Sequence, residues 1–266
     1  MFPDLCQVHR QQDLKVDTGV WGIFDITVVS DTRLLAAVWG GSRVMLVDSR
    51  TGGTVAQLTL QAYPHRVCMW DNNTAVVTLD GQKVQFININ GDFLNMGRSL
   101  SVNGDVYAVG RSGDRLVVSY VSPPRLEVLA LDGKVMHTFS NKAAGRDVFK
   151  NPLLITTSTD GMVYVSDGSN STITQLDMNL RVTRTYSDAM LQAPRGIISV
   201  SADQVLVCSR DNHRILLLCT STGLITSILG QQDGIQEPRA LTYSPPQRKL
   251  CVVSAAGSAI QVFQQP

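Results

Sequence analysis

The stretch Pro194-Arg195-Gly196-Ile197-Ile198, then Val205-Leu206-Val207-Cys208, then Ser209-Arg210-Asp211-Asn212-His213-Arg214-Ile215-Leu216-Leu217-Leu218, with Gly223 just beyond, decides the fold. It holds three apolar runs of strand length, divided by short segments rich in Ser, Asp and Asn. A proline leads the first run, a position where a residue that cannot donate to a ladder is tolerated. Gly223 follows the third run, where a tight hairpin turn demands positive φ. β-rich runs punctuated by turn residues read as an antiparallel meander.

Moving outward, the same pattern recurs along the chain. The apolar residue that opens the third run of each unit is Val44, Val84, Leu126, Ile173, Ile215 and Ile260, with steps of 40, 42, 47, 42 and 45 residues. That is the period of a propeller blade. A turn column runs in register with it: Gly53, Gly91, Gly133 and Gly223, with Asn179 filling the role in the remaining internal unit. A proline column, Pro64, Pro152, Pro194 and Pro238, leads into inner apolar runs. No long helical period interrupts the pattern, which argues against parallel sheets with helical crossovers.

Each unit therefore predicts a four-stranded meander, and six fit, with inner strands starting near Asp25, Arg66, Asp105, Leu153, Gly196 and Ala240. The sixth unit stops one strand short, while Leu5 to Val16 holds one surplus strand. Pairing the two hides an open edge that would otherwise template aggregation. The sequence thus predicts an all-β, six-bladed β-propeller of four-stranded antiparallel blades, closed by the N-terminal strand joining the last blade. It reads as one domain over residues 1–266.

The fifth unit resembles an NHL repeat. The family pattern is a Pro-x-Gly-apolar opening, an Asp, then Asn-x-Arg-apolar and a Gly turn. Pro194-Arg195-Gly196-Ile197, Asn212-His213-Arg214-Ile215 and Gly223 supply it, with Ser209 in place of the Asp. Val165-Ser166-Asp167-Gly168-Ser169-Asn170-Ser171-Thr172-Ile173 keeps the Asp but has Thr172 for the Arg. Pro238-Arg239-Ala240-Leu241 repeats the opening alone. The resemblance is specific over about residues 150–264 and architectural before that. It implies a domain similar to the C-terminal part of tripartite-motif proteins, where it would capture the substrate of a ubiquitin ligase whose catalytic parts lie outside this chain. WD40 is the weaker match, because Trp70-Asp71 closes a first run and not the end of a repeat.

Composition sets outer bounds. Hydrophobic residues make up 44% and charged residues 17%, which is a globular balance. A net charge of +1 gives no whole-protein bias towards nucleic acid or anionic membrane. The five cysteines, Cys6, Cys68, Cys208, Cys219 and Cys251, are odd in number and widely spaced, as expected of thiols in a reducing compartment. The opening Met1-Phe2-Pro3-Asp4 lacks the features of a signal peptide, and no apolar run approaches ~18 residues. The expectation is a cytoplasmic protein with no membrane partner.

In a propeller, the loops entering each first strand and those joining second to third strands share one face. That face is predicted to carry Trp39, Arg43, His65, Arg66, Lys83, Arg125, Arg195, Arg210, His213, Arg214 and Arg239. The opposite face is richer in Asp, including Asp48, Asp71, Asp132, Asp177 and Asp203. A basic face with an exposed Trp fits a protein or peptide partner, and single-stranded RNA is the alternative occupant. The structural reading is that Asp and Asn build turns and Arg answers them. On that reading Asp167 is a structural residue and Arg214 ties blades together.

Enzyme motifs are sparse. The histidines, His9, His65, His137 and His213, show no metal-ligand spacing, and the only glutamates are Glu127 and Glu237. There is no nucleophile elbow and no P-loop. The expectation is a platform that is not an enzyme, with no cofactor and no metal. A metal-dependent propeller hydrolase or lyase stands as a further alternative.

Overall fold

The computed structural model describes residues 8–19, 22–141, 145, 147–254, 257 and 259–266. Among the described residues, twenty-four strands form six separate four-stranded antiparallel sheets. Strand β1 (His9–Lys15) precedes the first blade. Blade 1 comprises β2 (Ile23–Ser30), β3 (Arg33–Val38), β4 (Arg43–Asp48) and β5 (Thr54–Thr59). Blade 2 comprises β6 (Pro64–Asp71), β7 (Thr74–Leu79), β8 (Lys83–Asn90) and β9 (Phe93–Ser101). Blade 3 holds β10 (Val106–Ser112), β11 (Arg115–Val121), β12 (Pro124–Leu129) and β13 (Val135–Ser140). Blade 4 holds β14 (Pro152–Thr157), β15 (Val163–Asp167), β16 (Thr172–Leu176) and β17 (Val182–Tyr186). Blade 5 is β18 (Pro194–Ser199), β19 (Gln204–Ser209), β20 (Arg214–Cys219) and β21 (Ile225–Leu229). Blade 6 is β22 (Pro238–Ser244), β23 (Lys249–Ser254) and β24 (Ala259–Gln264), completed by β1.

The all-β, six-bladed ring expected from the repeat is what forms, and its closure is as expected. Strand β1 pairs antiparallel with β24, from His9 opposite Gln264 to Lys15 opposite Ala259. Residues 5–7 of the proposed closing segment, and Cys6 with them, lie outside the described residues.

The second strands show why the sequence reads as solid apolar runs. Strands β3, β7, β11, β15, β19 and β23 are buried along almost their whole length, because each blade packs against a neighbour on both faces. The core is therefore a ring of layers between blades. Leu35, Ala37, Val44 and Leu46 of blade 1 pack on Val67, Ala75 and Val77 of blade 2. At the closure, Leu14 joins Val253, Ile260 and Val262 of blade 6 and Ile26, Ala36 and Met45 of blade 1. Removing that strand would strip side chains from the layer that shuts the ring.

Two turn assignments need correction by one residue. The left-handed position after β4 is Gly52 (φ 78°), not Gly53, and after β16 it is Leu180 (φ 60°), not Asn179. In the second case the turn is organised by a carboxylate: Asp177 Oδ1 accepts from the backbone N–H of Asn179 and Arg181, both at 2.9 Å. Asp48, Asp71 and Asp132 accept from backbone N–H groups in their own turns in the same way. These four acids of that face are turn builders.

No helix is long and apolar enough to cross a membrane. Among the described cysteines, Cys208 and Cys251 are buried, Cys68 and Cys219 half-buried, and all four are free thiols.

Candidate functional site

The six first strands converge on the ring axis and set out a site in register. Their opening residues face the ends of the second strands: Ile23 opposite Val38, Pro64 opposite Leu79, Val106 opposite Tyr120, Pro152 opposite Asp167, Pro194 opposite Ser209 and Pro238 opposite Ser254. The next residue in each strand is Phe24, His65, Tyr107, Leu153, Arg195 and Arg239. The first three of these rings meet one another. Phe24 lies 6.1 Å from His65 and 6.4 Å from Tyr107, and His65 lies 5.0 Å from Tyr107, between centroids. The Arg239 guanidinium stands 4.8 Å from the Phe24 centroid.

Arg66 plugs the mouth from below. It is 1% exposed, and its guanidinium lies 4.5 Å from the Phe24 centroid and 5.2 Å from that of Tyr107. It donates to the Phe24 carbonyl at 2.9 Å and to the Tyr107 hydroxyl at 3.4 Å, while its Nε finds no partner. Cation–π contact with two rings holds a charge that burial would otherwise penalise. Beneath it the channel narrows to a cavity of about 110 Å³ lined by residues of all six first strands. Asp25 sits there, 5% exposed, with Oδ2 accepting from the Val67 N–H at 3.0 Å. Burial pushes its carboxyl from the ordinary 3.8 up to about 6, against the opposing pull of Arg66.

Arg195 and Arg239 share this field. Burial lowers the pKa of each from the usual arginine range; Arg66 and Arg210 lower both further, while Tyr107 opposes the shift. Arg195 Nε is buried without a partner. Outside the ring of six, Trp39 and Tyr63 continue the aromatic surface, 5.5 Å apart and each 42% exposed, with Trp39 also 6.4 Å from Phe24.

The remaining residues of the expected face are anchored further from the axis. Arg43 donates to the Thr18 carbonyl at 2.7 Å, Lys83 to Gln61 Oε1 at 2.9 Å, and Arg125 to Glu127 Oε1 at 3.0 Å and to the Asn103 carbonyl. Each thus ties the start of a third strand to the segment entering its blade or to its own strand. Arg210 is near Asp211 (3.6 Å) and Glu237 (3.7 Å). His213, at φ 52°, accepts the Glu237 N–H on Nδ1 at 3.0 Å. His65 Nε2 is 2.5 Å from Asp80 Oδ1.

Two motif residues resolve differently. Asp167 is fully buried and accepts four backbone N–H groups, from Lys150, Asn151, Ser169 and Asn170, so it is structural as read. Ser209 takes the equivalent place in blade 5, accepting from Gln192 N at 2.8 Å and donating to the Met190 carbonyl at 2.7 Å. Arg214, expected to tie blades together, instead bonds Ser227 Oγ of its own blade at 3.0 Å. Its third-strand position aims it at the adjacent outer strand, not at a neighbouring sheet.

Phe24, Tyr63 and Tyr107 are functional-site residues that loop position and charge in the sequence do not single out. The signal that exposes Phe24 and Tyr107 is the column one residue past each proline, read through the two blades where Ile23 and Val106 replace it. Among the described residues, no three His, Cys, Asp or Glu side chains gather as a metal set.

No family model and no curated protein matches the chain. Solved structures do. A streptogramin B lyase aligns over 98% of this chain and 98% of its own, with 12% identity and a TM-score of 0.72. A catalytically inactive virginiamycin B lyase from Staphylococcus aureus, with quinupristin, aligns over 97% of this chain and 88% of its own, at 14% identity and a TM-score of 0.68. The β-propeller domain of Myceliophteria thermophila Cps50 (Swd1) aligns over 91% and 82%, at 13% identity and a TM-score of 0.67. At such identities the likeness is one of fold.

It nevertheless corrects one expectation. The chain was expected not to be an enzyme, on the ground that familiar catalytic motifs are missing from its sequence. The same propeller, matched along almost the whole chain, is an enzyme in the two lyases, so the scaffold gives no ground for excluding chemistry. The six-bladed architecture stands, and these neighbours include neither an NHL nor a tripartite-motif protein.

Proposed function

We propose that this propeller recognises a protein partner on the face where Phe24, His65, Tyr107, Arg195 and Arg239 surround the channel mouth. The observation that carries the reading is the exposed aromatic strip of Trp39 and Tyr63 running into the arginine-flanked Phe24. Large rings beside guanidinium groups are the residue types that dominate binding energy at interfaces. Their backbones belong to strand starts and short loops, so little ordering cost attends binding. The NHL-like motif of the fifth blade supports placing the chain with the substrate-capturing parts of tripartite-motif-like ligases, in the cytoplasm. That support is sequence pattern alone.

Affinity capture with three proteins tests the proposal: the parent, Trp39→Ala/Tyr63→Ala, and Phe93→Ser at an exposed outer strand. Partners retained by the parent and the Phe93 variant but lost by the double variant are the expected result. Equal recovery by all three would overturn it. RNA recovered in place of protein, with binding that falls steeply between 50 and 200 mM salt, would transfer the face to single-stranded RNA.

A further inference from the structure

The channel mouth holds more hydrogen-bond donors than the protein satisfies. Arg66 has five N–H donors in a fixed fork, and the Phe24 carbonyl and Tyr107 hydroxyl take one each. Its Nε and that of Arg195 are both buried and unpartnered. Arg66 and Arg239 share the Phe24 ring, at 4.5 and 4.8 Å from its centroid. Burial, then the charges of Arg66, Arg195 and Arg210, disfavour the charged form of Arg239, and Tyr107 opposes them. Tyr107 is the strongest favourable influence on Arg195, followed by the opposing charges of Arg210 and Arg66 and then by the one carboxylate, Asp211. The acid nearest below, Asp25, already accepts the Val67 N–H and is held partly towards its neutral form by burial.

Like charges gathered in a half-desolvated mouth are unfavourable unless something neutralises them. Phe24, Tyr107 and His65 form an aromatic wall on one side of the group. What fits is an oxyanion, because carboxylate and phosphate oxygens accept paired N–H bonds from guanidinium forks.

We infer that Arg66, Arg195 and Arg239 form an oxyanion socket at the centre of the propeller face. The socket rests on the recognition reading and specifies it: the partner would insert a carboxylate or phosphate group on the axis while its flanking residues meet Trp39 and Tyr63. The two sources of the anion, an acidic residue or a phosphorylated one, share this chemistry.

The test is thermal melting of the intact chain with acetate or inorganic phosphate against chloride at equal ionic strength. Low millimolar concentrations keep the anions below the range in which phosphate stabilises by exclusion from the surface. The parent should gain a few degrees with at least one anion, and Arg195→Gln/Arg239→Gln should lose that gain. Lys83→Gln, on the same face but away from the axis, should keep it. A gain with phosphate alone assigns a phosphorylated ligand; a gain with acetate assigns a carboxylate. In chloride the double variant should melt at or above the parent, since it removes mutual repulsion, an outcome opposite to that for arginines that merely brace the fold. No anion-specific gain in the parent, or the same gain in the double variant, overturns the socket. Because the parent arm is decisive alone, a variant that fails to fold does not rescue the idea. The recognition reading is judged by capture on Trp39 and Tyr63, so either can fail without the other.

Discussion

Asp25 lies directly below the arginine that plugs the channel, and replacing it with Asn should change how stability responds to pH. The folded carboxyl titrates at about 6, above its ordinary 3.8, with burial as the main cause and Arg66 opposing it. Well below pH 3.8 the group is protonated in both folded and unfolded chains and costs nothing. Between about pH 4 and 6 the unfolded chain gives up the proton while the folded one keeps it, so the folded state loses ground as pH rises. Above about 6 both are ionised and the penalty levels off. At about 1.4 kcal/mol per pH unit, the full loss is about 3 kcal/mol. The other titratable or charged groups facing Asp25 are Arg66, Cys68 and Cys208, and both thiols are pushed upward by burial, out of this range.

Asp25→Asn keeps a carbonyl for the Val67 N–H and removes the titration. Urea unfolding of parent and variant at pH 4, 5, 6 and 7.5 reads the difference directly, because every other group cancels between them. The stability of the parent relative to the variant should fall by about 2.5 kcal/mol from pH 4 to 7.5, or about 5–10 °C in melting temperature. A flat difference would mean that Asp25 is not desolvated. A difference that rises with pH would mean that its ion pair with Arg66 outweighs burial, and the account of the mouth would fail.

Three further expectations follow from the same geometry. Leu14→Ala empties a buried position in the layer between the last and first blades and should cost about 2–5 kcal/mol, or some 5–15 °C of melting temperature, whereas Leu224→Ala, 61% exposed, should change little in the same calorimeter. Ser209→Ala leaves the Gln192 N–H and a Met190 carbonyl without their partner and should cost about 1–3 kcal/mol by chemical denaturation. Anion binding at the mouth should strengthen as pH falls through about 6, since neutral Asp25 no longer offsets Arg66; titrating sulfate at pH 5 and 7.5 by calorimetry checks the sign.

The fold was legible because a closed ring writes itself repeatedly. Second strands packed on both faces must be apolar throughout, so Leu34 to Val38, Ala75 to Leu79 and Val205 to Cys208 stand out however much the loops diverge. Prolines mark strand openings because those residues need not donate to the ladder. What the sequence did not show is which residue of a turn takes the left-handed conformation. Leu180 does so where Asn179 was expected, because Asp177 fixes the turn through its side chain and overrides local preference.

The site was half legible, for a physical reason. Loop position alone gathers every basic residue of the face, yet Arg43, Lys83 and Arg125 start third strands and are anchored to segments beside their own blades. Arg66, Arg195 and Arg239 belong to first strands, where six strands crowd one axis and the Nε donors of Arg66 and Arg195 are left without a partner. Distance from the axis therefore separates arginines that brace the ring from those proposed to meet an oxyanion. Only Arg repeats at the position after the strand opening, at 195 and 239, so a search for repeated letters passes over Phe24, Tyr107 and Leu153. The propeller conserves the place and varies the residue, and it is the varied column that can carry specificity. If so, exchanging Arg195 and Arg239 for the Leu found at 153 should remove anion binding while leaving the blade-to-blade layers, and thus cooperative unfolding, unchanged. Loss of cooperative melting in that variant would show that the column belongs to the scaffold after all.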